Sequence, residues 1–102
     1  MPKQIIDNRE HGPLYPTTVV QRAAVLRAAG HNIVRFSRDQ RGRLVFSFPK
    51  TSPEGVTVHD TLRKYINNDL PVDAKTLIDC WMELRDLTRN KEFASETIDV
   101  TT

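Results

Sequence analysis

The stretch RFSRDQRGRLVFSFPK, Arg35 to Lys50, places two half-buried strands on either side of a tight, charged turn. Val34 and Phe36 alternate with Arg35 and Ser37. Leu44, Phe46 and Phe48 alternate with Val45 and Ser47. A period of two with the apolar residues on one side is the pattern of a strand with one face buried. The turn residues fix how the two strands meet. Asp39 opening a type I turn over Gln40 and Arg41, with Gly42 in the left-handed conformation, makes a three-residue hairpin loop. In that register Val34 meets Phe48 and Phe36 meets Phe46 on the inner face. Arg35 meets Ser47 and Ser37 meets Val45 on the outer face. Turn chemistry and hydrophobic alternation reach this pairing independently.

On the N-terminal side, Thr17 or Thr18 is placed to cap a helix over residues 18–29, and Gly30 supplies its stop. Val19, Val20, Ala23, Ala24 and Leu26 share one sector of that helix, opposite Gln21 and Arg22. On the C-terminal side, Pro49 ends the second strand and TSPEG, Thr51 to Gly55, is a loop. A second helix opens on Thr57 and Asp60, an approximate capping box, with Val58, Leu62 and Ile66 on one face and Tyr65 beside it. It stops near Asn67–Asp69. Asp73 then caps a third helix, whose Leu77, Ile78, Cys80, Trp81, Leu84 and Leu87 form an apolar stripe opposite Lys75, Asp79, Glu83 and Asp86. The expected fold is α+β: helix, two-stranded antiparallel hairpin, helix, helix. Residues 1–16 are an N-terminal arm, 17–89 the single domain and 90–102 a polar tail. KQII, Lys3 to Ile6, and TIDV, Thr97 to Val100, are the two candidates for an added edge strand. A two-stranded ribbon is marginal alone, so its inner face must rest on the helices, with Trp81 expected to make the largest single contact.

At 102 residues the chain is one ordinary domain. Cys80 is the single cysteine, so no internal disulfide forms, which fits a reducing compartment. No apolar run reaches signal-peptide length or the roughly 20 residues of a membrane span, and the expected location is cytoplasmic. Net charge is +2, unevenly spread. Residues 1–64 hold 11 Lys/Arg against 5 Asp/Glu, net +6, and residues 65–102 hold 4 against 8, net −4. One basic and one acidic side are expected, suited to an anionic partner or to self-assembly.

YPTTVVQRAAVLRAAGHNIV, the strand and Gly-containing turn, VFSF, a helix ending in Tyr and Asn, and VDAKTLIDCWMELRDL follow one another in an order that resembles a small bacterial and phage family catalogued as a domain of unknown function. The resemblance spans about Tyr15 to Leu87. It implies the same fold and an origin in mobile or phage-derived DNA, and it brings no catalytic residue or ligand. Arg27 departs from it by standing in the middle of an otherwise apolar helix sector. There it either extends its stem over apolar surface with its head in water, near a helix end that favours cations, or faces a partner.

Enzyme motifs are missing: there is no phosphate-binding glycine loop, no nucleophile elbow and no paired-histidine metal motif. His11, His31 and His59 lack metal-ligand spacing, and Cys80 shares its face with Trp81 and Leu84, where cysteine acts as a small hydrophobe. His31, just past Gly30, reads as a helix-end hydrogen-bonding residue. No catalytic residue, metal or cofactor is expected, and Asp79, Glu83 and Asp86 read as a solvated acidic face. The hairpin carries the leading functional expectation. Arg35 and Arg43 on its outer face, with Arg38 and Arg41 at its turn, suit phosphate and base-edge contacts from a β-ribbon, and Lys50, Arg63 and Lys64 would extend the patch toward DNA. The alternative is a protein-interaction or homodimerisation module using Arg27, Asp79, Glu83 and Asp86 or an open sheet edge, with a phage protein acting on a host protein as one instance.

Overall fold

The structure, a computed structural model, describes residues 12–100. In chain order the elements are β1 (Leu14–Thr17), α1 (Val20–Ala28), β2 (Arg35–Arg38), β3 (Leu44–Pro49), α2 (Val58–Ile66), α3 (Ala74–Arg89) and β4 (Ile98–Asp99). The α+β class and the three helices agree with the sequence reading.

From Arg35 onward the hairpin has the predicted register: Arg35 pairs with Ser47, Phe36 with Phe46, Ser37 with Val45 and Arg38 with Leu44, whereas the expected Val34–Phe48 pair does not form and the Val34 N–H donates to the Ser47 carbonyl at 2.9 Å. Gly42 adopts φ +79°, and its N–H donates to the Asp39 carbonyl at 3.0 Å. The Asp39 N–H donates to the Arg43 carbonyl at 2.9 Å, closing the loop. The Asp39 carboxylate adds to this by accepting from the N–H groups of Arg41 and Arg43 and from Arg43 Nε, each at 2.9 Å. These bonds, the one from the Arg43 N–H foremost, hold its carboxyl below the usual carboxylate range.

The sheet itself departs from expectation, since it has four antiparallel strands in the order β1-β3-β2-β4 rather than two. β1 comes from the segment whose prolines read as breakers. Lys50 N–H donates to the Pro13 carbonyl at 2.9 Å, so positions 13, 15 and 17 face β3 and the nitrogen of Pro16 points away from the sheet. Proline is tolerated on an edge in that orientation. β4 falls within TIDV and pairs Asp99 with Arg35 and Ile98 with Phe36, while the Val100 N–H donates to the Val34 carbonyl at 2.8 Å. The other candidate, Lys3 to Ile6, lies outside the described residues.

Phe46, Phe48 and Leu44 cover the inner face of the sheet and pack with Ala23, Ala24 and Leu26 of α1, Val58 of α2, Leu84 of α3 and Ala94. Phe36 meets Phe46 edge-on at 6.0 Å and Phe93 at 5.0 Å. α1 lies against both other helices, most extensively against α3, and its fully buried alanines permit that approach.

Several side chains differ from their predicted places. α1 starts at Val20, with Val19 as its cap residue. The Thr17 hydroxyl accepts from the Val19 N–H at 3.1 Å, not from a donor inside the first turn, and Thr18 makes no cap. Val19 is 44% exposed, and Val25 is the buried residue that the apolar sector missed. In α2 the Thr57 hydroxyl accepts from the Asp60 N–H at 3.0 Å, but Asp60 turns to Arg63 instead of completing the capping box. Ile66 is 79% exposed because the helix passes beyond the core before its last turn. In α3 Asp73 caps as predicted, accepting from the Thr76 N–H and hydroxyl, both at 3.0 Å. Leu77, Cys80, Leu84 and Leu87 face the core, and Trp81, expected to be the largest contact, is 41% exposed. The row 77, 80, 84, 87 is one helix face, and Ile78 and Trp81, one step further around, turn to solvent. No helix among the described residues is long and apolar enough to cross a membrane.

Candidate functional site

The structure divides the predicted basic set in two. At the hairpin the guanidinium groups are largely occupied within the chain. Arg35 Nε donates to Asp99 of β4, its cross-strand partner, at 2.6 Å. Arg38 shares the core side of β2 with Phe36 rather than the outside. It donates to the Gly42 carbonyl at 2.9 Å, the Asn90 carbonyl at 2.8 Å and the Phe93 carbonyl at 3.2 Å, tying the turn to the C-terminal segment. Arg43 is bonded to Asp39. Arg41 alone of the four has a side chain with no hydrogen-bond or ion-pair partner among the described residues.

Lys50, Arg63 and Lys64 do not extend that patch. The six residues of β3 put Lys50 about 20 Å from the hairpin tip at the usual strand rise. Lys50 and Arg63 instead border a groove walled by β1, the start of α1 and the length of α2. Its larger part, about 520 Å³, is lined by Tyr15, Val19, Leu62, Tyr65 and Ile66 with Arg22, Arg63, His59 and Gln21. A second hollow of about 410 Å³ continues it past Tyr15 and His59 to Lys50, Thr51, Thr57 and Val58. Two arginines, a lysine and a histidine stand among these lining residues, and no carboxylate does. Lys64 is exposed on α2 next to Arg63.

Polar contacts set the groove's width. Gln21 Nε2 of α1 donates to the Tyr65 hydroxyl at 2.6 Å, and Arg22 Nη1 donates to the Tyr15 hydroxyl at 3.3 Å. Beneath them His31 joins the same two helices. Its N–H donates to the Leu26 carbonyl at 2.9 Å, the helix-end bond expected, while its ring Nε2 pairs with the Thr61 hydroxyl at 2.7 Å. The ring is 3% exposed, and Nδ1 is buried with no partner. Burial pushes the imidazole below its ordinary value, with Glu54 acting in the opposite direction.

The acidic set is partly neutralised. Glu83 pairs with Arg27, linking α3 to α1, and Asp79 pairs with Lys75 at 2.9 Å, whereas Asp86 is exposed without a partner among the described residues. Arg27 thus spends its charge on a neighbouring helix. Cys80 is half-buried on the core side of α3. Among the described residues no three His, Cys, Asp or Glu side chains converge to hold a metal ion.

Sequence reasoning missed Tyr15, Val19, Arg22, His59, Tyr65 and Ile66 as groove residues. The pattern carried no clear signal, since adjacent apolar residues about 100° apart on a helix, such as Tyr65 and Ile66, also fit within one core face, as Ala23 to Leu26 do in α1. No family model matches the chain, and no curated protein or solved structure matches it either.

Proposed function

We propose that this chain is a non-enzymatic protein-interaction module that docks an apolar segment of a partner in the groove between β1, α1 and α2. The observation that carries the reading is the convergence of Val19, Tyr65 and Ile66, all exposed, on one concavity. Single exposed apolar residues are ordinary on a protein surface, whereas several lining the same hollow mark a contact site. Strand addition is the less suitable mode. The outer edge of β1 carries Pro16, which offers no N–H, and β4 is only two residues long.

The nucleic-acid reading retains the tip of the hairpin, where Arg41 is exposed and the Arg43 side chain is 57% exposed despite its bond to Asp39. Two cations at the tip, with Arg35 and Arg38 bonded within the chain and Lys50 the length of β3 away, make a small electrostatic footprint. A photo-crosslinking amino acid placed at position 66, and separately at position 41, distinguishes the readings in cells. Protein adducts from position 66 that disappear on adding Val19→Asp are expected. Nucleic-acid adducts from position 41, with none to protein from position 66, would overturn the proposal in favour of hairpin binding.

A further inference from the structure

The groove's charge narrows the class of its occupant, an inference that rests on the protein-interaction reading above. We infer that the segment it takes is acidic as well as apolar: apolar anchors seated over Leu62, Tyr65 and Ile66, with carboxylates on either side. The floor supplies the anchor sites. Among the described residues, Tyr15, Val19, Leu62, Tyr65 and Ile66 line it with apolar and aromatic surface.

The borders supply the charge selection. Arg22 stands on the α1 side, Arg63 on the α2 side and Lys50 at the far end. Arg63 already has Asp60 beside it, but its side chain remains 71% exposed and can accept a second carboxylate. Arg22 spends one N–H on the Tyr15 hydroxyl and has others to offer. A basic partner segment would place like charges at three points, and a neutral one would leave them unused. Complementarity of this kind selects among apolar segments that the floor alone would not tell apart.

The test uses the full-length protein and three short peptides sharing one apolar stripe at helical spacing, with Glu, Gln or Lys at every polar position. Binding is followed through amide shifts of Leu62, Tyr65 and Ile66 at low and raised salt, with an oligothymidylate as a fourth probe. The Glu peptide is expected to bind tightest and to weaken with salt. Charge reversal of two exposed border residues, Arg22→Glu with Lys50→Glu, is expected to weaken the Glu peptide by on the order of tenfold and to improve the Lys peptide. The exchange of preference reports on charge and not on folding. Equal binding of Glu and Gln peptides overturns the acidic preference and leaves the docking groove standing. No shift with any peptide removes both, and oligothymidylate binding at these residues reassigns the groove to nucleic acid.

Discussion

At the scale of single residues, His31 is the least compensated group in the described structure. It is buried, one ring nitrogen is bonded to Thr61 and the other has no partner. Because burial lowers its pKa in the folded state from the ordinary 6.5, the unfolded chain takes up this proton more readily. The sign follows. The His31 contribution is intact above pH 6.5 and is lost as pH falls through that value toward the lower folded-state pKa. Thermal melts from about pH 8 down to about pH 5 are expected to show falling Tm, with His31→Gln giving a shallower slope over that window. An unchanged slope in the variant would place the effect in other groups. Arg38 is the opposite case, because it satisfies three carbonyl groups from two parts of the chain, the hairpin turn and the C-terminal segment. Arg38→Ala is expected to cost on the order of 1–3 kcal/mol and to raise amide exchange between Phe93 and Val100. Arg38→Lys should not restore protection, since an ammonium cannot reproduce the planar fork.

At the scale of elements, the hairpin was legible because two codes agreed: alternation fixed which face is buried, and the Asp39–Gly42 turn fixed the register. The helix starts at Thr57 and Asp73 were legible for the same reason, as a side-chain oxygen three residues before a free N–H is a local feature. The added strands were not. β1 depends on which way Pro16 points, and a period of two in four residues does not encode that. β4 has two residues and exists because Phe93 packs on Phe36 and Arg35 faces Asp99, both long-range contacts. The arginines were misread through the same gap. The strand positions of Arg35 and Arg38 were right, but their partners Asp99, Asn90 and Phe93 lie more than 50 residues away along the chain, whereas Arg43 pairs locally with Asp39. Asp99→Asn tests how β4 is held. A partly exposed pair is worth at most about 1 kcal/mol, so the variant should lower Tm slightly, with the difference fading at high salt. A large, salt-independent loss would show that strand pairing itself depends on the carboxylate.

At the scale of the whole molecule, apolar residues do two jobs that sequence pattern does not separate. Leu84 and Ile66 both stand on apolar helix faces, yet Leu84 is 0% exposed in the core and Ile66 is 79% exposed on the groove. The helices are amphipathic over more of their circumference than the sheet and their neighbours can cover. The surplus gives the groove on one flank, and Ile78, Trp81 and Met82 on α3. Substitution separates the two roles. Leu84→Ala removes a buried side chain and is expected to cost about 2–5 kcal/mol, a large fraction of a typical stability of about 5–15 kcal/mol. Ile66→Ser should leave Tm within the scatter of surface substitutions, because the side chain is already in water, while abolishing the peptide-induced shifts at the groove. Melting curves of both variants beside the peptide titration make the comparison. An Ile66→Ser protein that melts as early as Leu84→Ala would assign Ile66 to the core, and one that keeps both its melting temperature and its peptide binding would remove Ile66 from the contact surface.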